Sequence, residues 1–236
     1  EDPSYRAALE SQANLANSIL KAYGFDERIH LILTDSVEDL STASKAMGAL
    51  RQRGSLSPLC TPASIGLSNQ KRETLEAALE HLQKQAKTPL PETGAALPKS
   101  SLLGGLAINK DACTLCMSCV SSCPEGALLD NPDEPILSFI EKQCVQCGIC
   151  VQTCPENALV LNPRLRTVEQ RKQKDVLNET EAFHCISCGK AFGTLKMVDL
   201  MLTKLGAHGA FAGAAMDRLK MCGDCRVVDM VKKEHE

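Results

Sequence analysis

The chain contains thirteen cysteines among 236 residues, and their spacing is the feature most able to support chemistry. The odd number excludes complete internal disulfide pairing, and disulfide scaffolds are normally shorter, secreted chains. Twelve of the thirteen lie between Cys113 and Cys225 in closely spaced groups, a pattern that favours metal ligation. Cys60 stands apart and is interpreted as a buried small hydrophobic residue.

Eight of these cysteines form an internal duplication. The pattern C-x2-C-x2-C-x3-C-P begins at Cys113 and recurs 31 residues later at Cys144, and the Glu, Ala and Leu that follow each proline keep the same offset. A cubane iron-sulfur cluster needs four thiolates at the corners of a tetrahedron. A tight loop can wrap only three of its irons, so the fourth thiolate must come from elsewhere in the chain.

The duplicated pattern closely resembles the bacterial two-cluster ferredoxins over about residues 106–163. The resemblance implies two 4Fe-4S clusters in which the fourth cysteine of each run ligates the other cluster. The first cluster would then be held by Cys113, Cys116, Cys119 and Cys154, and the second by Cys144, Cys147, Cys150 and Cys123. Zinc bound by the eight cysteines, or clusters with a purely structural role, are the alternatives. Even spacing with a proline-marked fourth cysteine disfavours zinc.

The remaining four cysteines form two C-x2-C pairs, Cys185 with Cys188 and Cys222 with Cys225, separated by 33 residues. Two such pairs can close a tetrahedral site, so we predict one structural zinc ion. A third iron-sulfur cluster and a redox dithiol are the alternatives. Residues 100–236 resemble larger bacterial 4Fe-4S dicluster proteins associated with redox systems such as formate dehydrogenases.

The predicted fold class is α+β, a two-cluster ferredoxin-like domain between two flanking segments. Residues 1–88 are interpreted as an α/β segment that continues or remains from an upstream domain, with helices over 4–23, 37–53 and 71–87 and a strand over 29–33. Residues 89–105, rich in Pro and Gly, are interpreted as a linker or strap. The ferredoxin domain covers 106–163, with strands over 106–108 and 158–161. Residues 164–236 are interpreted as a helical segment, with helices over 167–181 and 194–205, that carries the four-cysteine site.

The N-terminal residues 5–33 also resemble the end of the small iron-sulfur subunit that joins hydrogenase to heterodisulfide reductase. The cluster cysteines of that subunit have no counterpart here, so no cofactor is assigned to residues 1–105. Because the chain begins Glu1-Asp2-Pro3 without an initiator methionine, it is interpreted as a processed product or a piece of a longer protein.

Charge and composition exclude some classes of function. The net charge of -3 disfavours a nucleic-acid binder, and the absence of an apolar run or leader predicts a cytoplasmic chain without a membrane span. Residues 106–163 hold two basic and seven acidic residues, a net charge of -5 that two clusters would take to about -9. A redox partner with a basic docking surface is therefore implied.

The leading interpretation is an electron-transfer protein or subunit that relays single electrons and is not catalytic by itself. The resemblances suggest formate dehydrogenase-type or heterodisulfide reductase-type subunits as its partners. The iron-sulfur portion of a larger oxidoreductase, whose catalytic cofactor lies elsewhere, is the alternative. A metal-dependent regulatory module is the third interpretation.

Overall fold

The computed structural model describes residues 3–31, 36–52, 61–66, 69–208, 211 and 213–233, so Cys60 lies outside the described residues. These residues divide into two compact units. Unit 1 comprises the described residues within 1–105, 144–146 and 162–173, and unit 2 comprises those within 106–143, 147–161 and 174–236.

The described residues contain short strands and helices of varied length. In chain order they are α1 (Pro3–Ala22), α2 (Val37–Gln52), α3 (Lys71–Lys84), β1 (Ala95–Ala96), β2 (Gly105–Ile108), α4 (Ser118–Ser121), β3 (Leu128–Leu129), β4 (Ile136–Ile140), α5 (Ile149–Thr153), β5 (Leu159–Asn162), β6 (Arg164–Leu165), α6 (Val168–Lys172), β7 (Lys174–Glu179), β8 (Ala182–His184), β9 (Ala191–Thr194), α7 (Leu195–Gly206), α8 (Ala214–Leu219) and α9 (Gly223–Lys233). None of the described helices has the length and apolar character that crossing a membrane requires.

Unit 1 is built on the three helices that the sequence predicts before residue 88. Helix α1 ends just before Gly24, whose φ of +79° suits the residue that follows a helix. Ser36 accepts a hydrogen bond from the Asp39 amide at 3.0 Å and so caps the start of α2. The core of the unit joins α1 and α3 to the later segment 162–173, and its buried members are Tyr23, Phe25, Leu79, Leu103, Leu165 and Val168.

The strand predicted over residues 29–33 is wrong for residues 29–31, which adopt no regular secondary structure; residues 32 and 33 lie outside the described part. Ile29 and Leu31 are exposed rather than buried. The amide and carbonyl of Ile29 both pair with the side chain of Asn17 on α1, at 3.0 and 2.8 Å. A side chain therefore takes the hydrogen bonds that a neighbouring strand would have supplied. In the described residues before 88, unit 1 contains helices only.

Residues 89–105, interpreted above as a linker or strap, contain β1, which pairs antiparallel with β6. They also contribute Leu103 to the core of unit 1.

The sequence duplication is repeated in the fold of unit 2. Strand β2, helix α4 and strand β3 of the first repeat are matched, about 31 residues later, by β4, α5 and β5 of the second. Strand β2 pairs with β5, and β3 pairs antiparallel with β4, so each pairing takes one strand from each repeat. The strands predicted over 106–108 and 158–161 are confirmed as β2 and β5. The arrangement is mixed helix and strand with an internal two-fold relation.

The helix predicted over residues 167–181 is wrong beyond Lys172. A capping box between Thr167 and Gln170 starts α6, but the chain then becomes extended and forms β7, which pairs antiparallel with β4. Pairing with a distant strand overrides the local helix preference. The segment after residue 163 is consequently mixed rather than helical. The helix predicted over 194–205 is confirmed as α7, with Thr194 at its N-cap.

Candidate metal centres

A pocket of unit 2 brings together four of the cysteines of the duplicated pattern. Its walls include Cys113, Cys116 and Cys119 from the first repeat and Cys154 from the second, together with the apolar Leu137 and Leu159. Pro155 also lines the pocket, where it directs the chain away after Cys154. Three sulfurs therefore come from one loop and the fourth from the other repeat.

The backbone of both cysteine loops is shaped by left-handed residues at matching positions. Leu115 and Gln146 have φ values of 55° and 56°, although neither is a glycine. Met117 and Gly148 precede α4 and α5 with φ values of 59° and 79°. A third pair, Gly126 at 60° and Asn157 at 49°, follows the two prolines. Non-glycine residues rarely adopt this conformation, so its repetition shows that both loops are curled in the same way.

The sulfurs of the fourth cysteines receive equivalent backbone hydrogen bonds. The Ala127 amide donates to Cys123 Sγ and the Ala158 amide donates to Cys154 Sγ, both at 3.3 Å. The left-handed Gly126 and Asn157 immediately precede these two amides. Both alanines are 2% exposed, so these hydrogen bonds to the sulfurs are shielded from solvent. These donors are backbone amides that any residue except proline would supply, so the repeated Ala at this position is explained by its burial.

The electrostatics of the first set fit a metal centre. Burial, together with the nearby sulfurs of Cys113, Cys116 and Cys150, raises the pKa of the Cys119 thiol to about 12. Burial also acts to raise the pKa of Cys116, but the hydroxyl and amide of Ser118 lower it below its ordinary value. Thiols packed this closely hold several negative charges only when a cation compensates them, which is what bound iron does.

The cysteines of the second set occupy equivalent places in the repeat. Cys150 is buried like Cys119, and Cys147 is exposed like Cys116. Cys147, Cys150 and Cys123 belong to unit 2, whereas Cys144 is grouped with unit 1.

Two side-chain contacts to Cys144 were not predicted from the sequence. Gln146 Nε2 donates to Cys144 Sγ at 3.3 Å and to the Gly105 carbonyl at 2.9 Å. From α3, Arg72 donates to the Cys144 carbonyl at 2.9 Å. The duplication gives no signal for the Gln146 contact, since the matching residue Leu115 has no side-chain donor, and Arg72 is 72 residues distant in the chain.

The last four cysteines form a second candidate metal centre, wholly within unit 2. The sulfurs of Cys185, Cys188, Cys222 and Cys225 all lie within 4.8 Å of one another, with Cys188 Sγ and Cys222 Sγ 3.8 Å apart. The β8–β9 hairpin carries the first pair, and the start of α9 carries Cys225. Burial acts to raise the pKa of Cys185, but backbone amides, including that of Cys222 at 3.3 Å, lower it below its ordinary value.

Comparison with protein families identifies two ferredoxin-type regions in the chain. Two different family models, each described as a 4Fe-4S dicluster domain, match residues 112–159 and residues 143–193. No curated protein sequence matches the chain. The matches support an iron-sulfur electron-transfer role, and they do not extend to an association with formate dehydrogenase or heterodisulfide reductase. The first match includes both repeats of the cysteine pattern, and the second includes the second repeat together with Cys185 and Cys188.

Proposed function

We propose that the chain is an electron-transfer protein or subunit that relays single electrons through two 4Fe-4S clusters between redox partners. The first cluster is assigned to Cys113, Cys116, Cys119 and Cys154, and the second to Cys144, Cys147, Cys150 and Cys123. The observation that carries the proposal is the pocket in which three sulfurs of one repeat meet Cys154 of the other. Bound clusters of this type supply one-electron chemistry.

The protein residues then have defined tasks. The left-handed loops hold three sulfurs of each set in one orientation, and the amides of Ala127 and Ala158 orient the fourth. Apolar residues such as Leu115, Leu137 and Leu159 keep water from the first set, and all three are at most 6% exposed. The acidic charge of residues 106–163 favours partners with a basic docking surface.

The proposal is tested by iron and sulfide analysis and by a matched pair of variants. Anaerobically purified protein is expected to hold about eight irons and eight inorganic sulfides per chain. Cys154→Ser should damage the site of Cys113, and Cys123→Ser should damage the site of Cys144, each leaving the other site's EPR signal intact. If each serine variant instead perturbs the site of its own repeat, ligation is sequential and the assignment is wrong. About four irons, or metal without inorganic sulfide, would contradict the two-cluster proposal.

We also propose that Cys185, Cys188, Cys222 and Cys225 hold a single zinc ion. Sulfurs at the corners of a tetrahedral zinc site are about 3.8 Å apart, given Zn–S bonds of about 2.3 Å. The separation of 3.8 Å between Cys188 and Cys222 fits this value. Each thiolate of a cubane binds a different iron, so its sulfurs would be more widely spaced. The geometry therefore favours one metal ion over a third cluster.

Metal analysis distinguishes a single zinc ion from a third iron-sulfur cluster at this site. The expected content is about one zinc beside the eight irons, with the zinc lost in Cys188→Ser. If the protein instead held about twelve irons and no zinc, the four cysteines would ligate a third cluster and the zinc assignment would be wrong. One additional iron without additional sulfide would indicate a mononuclear iron site.

A further inference from the structure

The segment that carries the four-cysteine site also contacts the loop of the first repeat. Thr194 is 2% exposed and lies at the end of β9. Its Oγ1 donates to the carbonyl of Thr114 at 2.9 Å, between Cys113 and Cys116, and accepts from the Met197 amide at 3.1 Å. One hydroxyl thus joins the cysteine loop to the start of α7.

Thr194 is connected to the four-cysteine site through the β8–β9 hairpin. In this hairpin Ala182 pairs with Thr194 and His184 pairs with Ala191. The next residue, Cys185, donates its amide to the Lys190 carbonyl at 2.9 Å, which closes the loop that carries Cys185 and Cys188. A metal ion held by the four sulfurs would therefore fix the hairpin whose last residue is Thr194.

The contact with the first repeat extends beyond this hydrogen bond. Lys196 Nζ donates to the Lys110 carbonyl at 2.7 Å, at the entrance to the same loop. Leu115 and Met117 of this loop line a groove together with Phe192, Gly193 and Thr194 of the hairpin. The first loop and the four-cysteine site both belong to unit 2, whereas residues 144–146 at the start of the second loop are grouped with unit 1.

We propose that Thr194 is a positioning residue through which the four-cysteine metal site stabilises the first cluster selectively. This inference rests on the proposed function. Without the Thr194 hydroxyl, the Thr114 carbonyl loses its donor within a residue that is 7% exposed, and the loop must shift to regain one. The sulfurs of Cys113 and Cys116 flank this carbonyl and move with it. The same displacement follows when the hairpin loses its metal ion.

The test compares Thr194→Val with Thr194→Ser in the full chain loaded with iron and zinc. Valine keeps the shape of threonine without a donor, and serine keeps the hydroxyl. The rate at which an added iron chelator bleaches each cluster is measured, with the first cluster identified as the EPR signal that Cys154→Ser removes. We expect roughly tenfold faster loss of the first cluster in Thr194→Val, an unchanged second cluster, and wild-type behaviour in Thr194→Ser.

Cys188→Ser supplies a second test that leaves Thr194 in place. This variant is expected to lose the zinc ion and to release the first cluster faster, again with the second cluster unchanged. Equal acceleration for both clusters, or no acceleration in either variant, would overturn the inference. These outcomes differ from failure of the proposed function, in which wild-type protein would lack the eight irons at the outset.

Discussion

At the scale of single residues, the duplication provides its own comparison between the two cysteine loops. Gln146 donates to Cys144 Sγ at 3.3 Å, whereas the matching residue of the first loop is Leu115. In the first loop the Ser118 hydroxyl lies 3.4 Å from Cys116 Sγ, and its counterpart in the second loop is Ile149. The side-chain hydrogen bonds from Gln146 and Ser118 to ligand sulfurs therefore come from different positions in the two loops.

Gln146→Leu is expected to lower the reduction potential of the cluster proposed to be ligated by Cys144, by on the order of 50 mV. A donor to a ligand sulfur stabilises the more negative, reduced state, so its loss favours oxidation. Potentiometric titration followed by EPR measures the potentials of both clusters. Ser118→Ala is the matched variant and should lower the potential of the other cluster alone. Equal shifts of both clusters in either variant would contradict this assignment of the two donors.

Tyr23 should make the stability of unit 1 depend on pH in the alkaline range. The side chain is 0% exposed, and its hydroxyl has no hydrogen-bond partner among the described residues. Burial raises its pKa from 10.0 to about 12, with Arg171 acting to lower it and Glu76 to raise it. The folded state therefore favours the neutral phenol. The resulting stability is present below pH 10 and is lost as the pH rises to about 12.

Tyr23→Phe should raise the free energy of unfolding by about 1 kcal/mol at pH 8, because it removes a buried polar group without a partner. Between pH 10 and 12 the wild type should lose about 2 kcal/mol that the variant keeps. Denaturant titration followed by circular dichroism measures both effects. The control is Tyr5→Phe, since Tyr5 is 68% exposed and should retain the wild-type pH profile. If Tyr23→Phe lost the same stability between pH 10 and 12, another titrating group would be responsible for the loss.

At the scale of elements, a buried ion pair joins α3 to α6. Arg171 is 0% exposed and donates to both carboxylate oxygens of Glu76, at 3.0 and 2.8 Å. Arg72 Nε lies 3.6 Å from the same carboxylate and belongs to the helix that reaches Cys144. The pair therefore fixes the helix that provides the contact to a proposed ligand.

Arg171→Met should lower the free energy of unfolding by about 3 kcal/mol, because Glu76 is then buried without its bidentate partner. The double variant Glu76→Met with Arg171→Met should recover most of this loss. Lys84→Ala, which removes the exposed pair Lys84–Glu80, should change stability by at most about 0.5 kcal/mol. Thermal and denaturant unfolding measure these differences. A double variant as unstable as Arg171→Met would indicate that packing around Arg171, rather than its charge, is responsible.

The elements that the sequence predicts correctly are those with local or repeated signals. Helices α1 and α3 follow from apolar periodicity, and the strands around Leu106 and Leu159 follow from the duplication. The two wrong predictions, at residues 29–31 and beyond Lys172, depend on distant partners, Asn17 and strand β4. The contact from Thr194 to Thr114 spans 80 residues and leaves no local pattern in the sequence. The cysteine spacing could therefore indicate a cluster, but not what surrounds it.

At the scale of the whole molecule, the distribution of charge decides which partners approach the proposed clusters. Residues 106–163 have a net charge of -5, and two oxidised clusters with their thiolates would bring it to about -9. The rest of the chain is close to neutral, since residues 1–105 have 11 basic and 12 acidic groups and residues 164–236 have 13 and 10. The electrostatic field near the cysteine loops is therefore negative, although the net charge of the chain is only -3.

This field predicts opposite salt effects for cationic and anionic electron acceptors. Oxidation of the reduced protein by hexaammineruthenium(III) should slow as ionic strength rises, and oxidation by hexacyanoferrate(III) should accelerate, because exposed charges are screened beyond about 8 Å at physiological salt. Stopped-flow absorbance measures both rates from low salt upward. Asp130→Asn with Asp133→Asn, which removes two acidic residues from the groove beside Leu115, should weaken both salt dependences. If the oxidation rates with both acceptors did not change with salt, this charge would not govern the encounter between the protein and an acceptor. A permanent apolar interface with the redox partner would then be favoured.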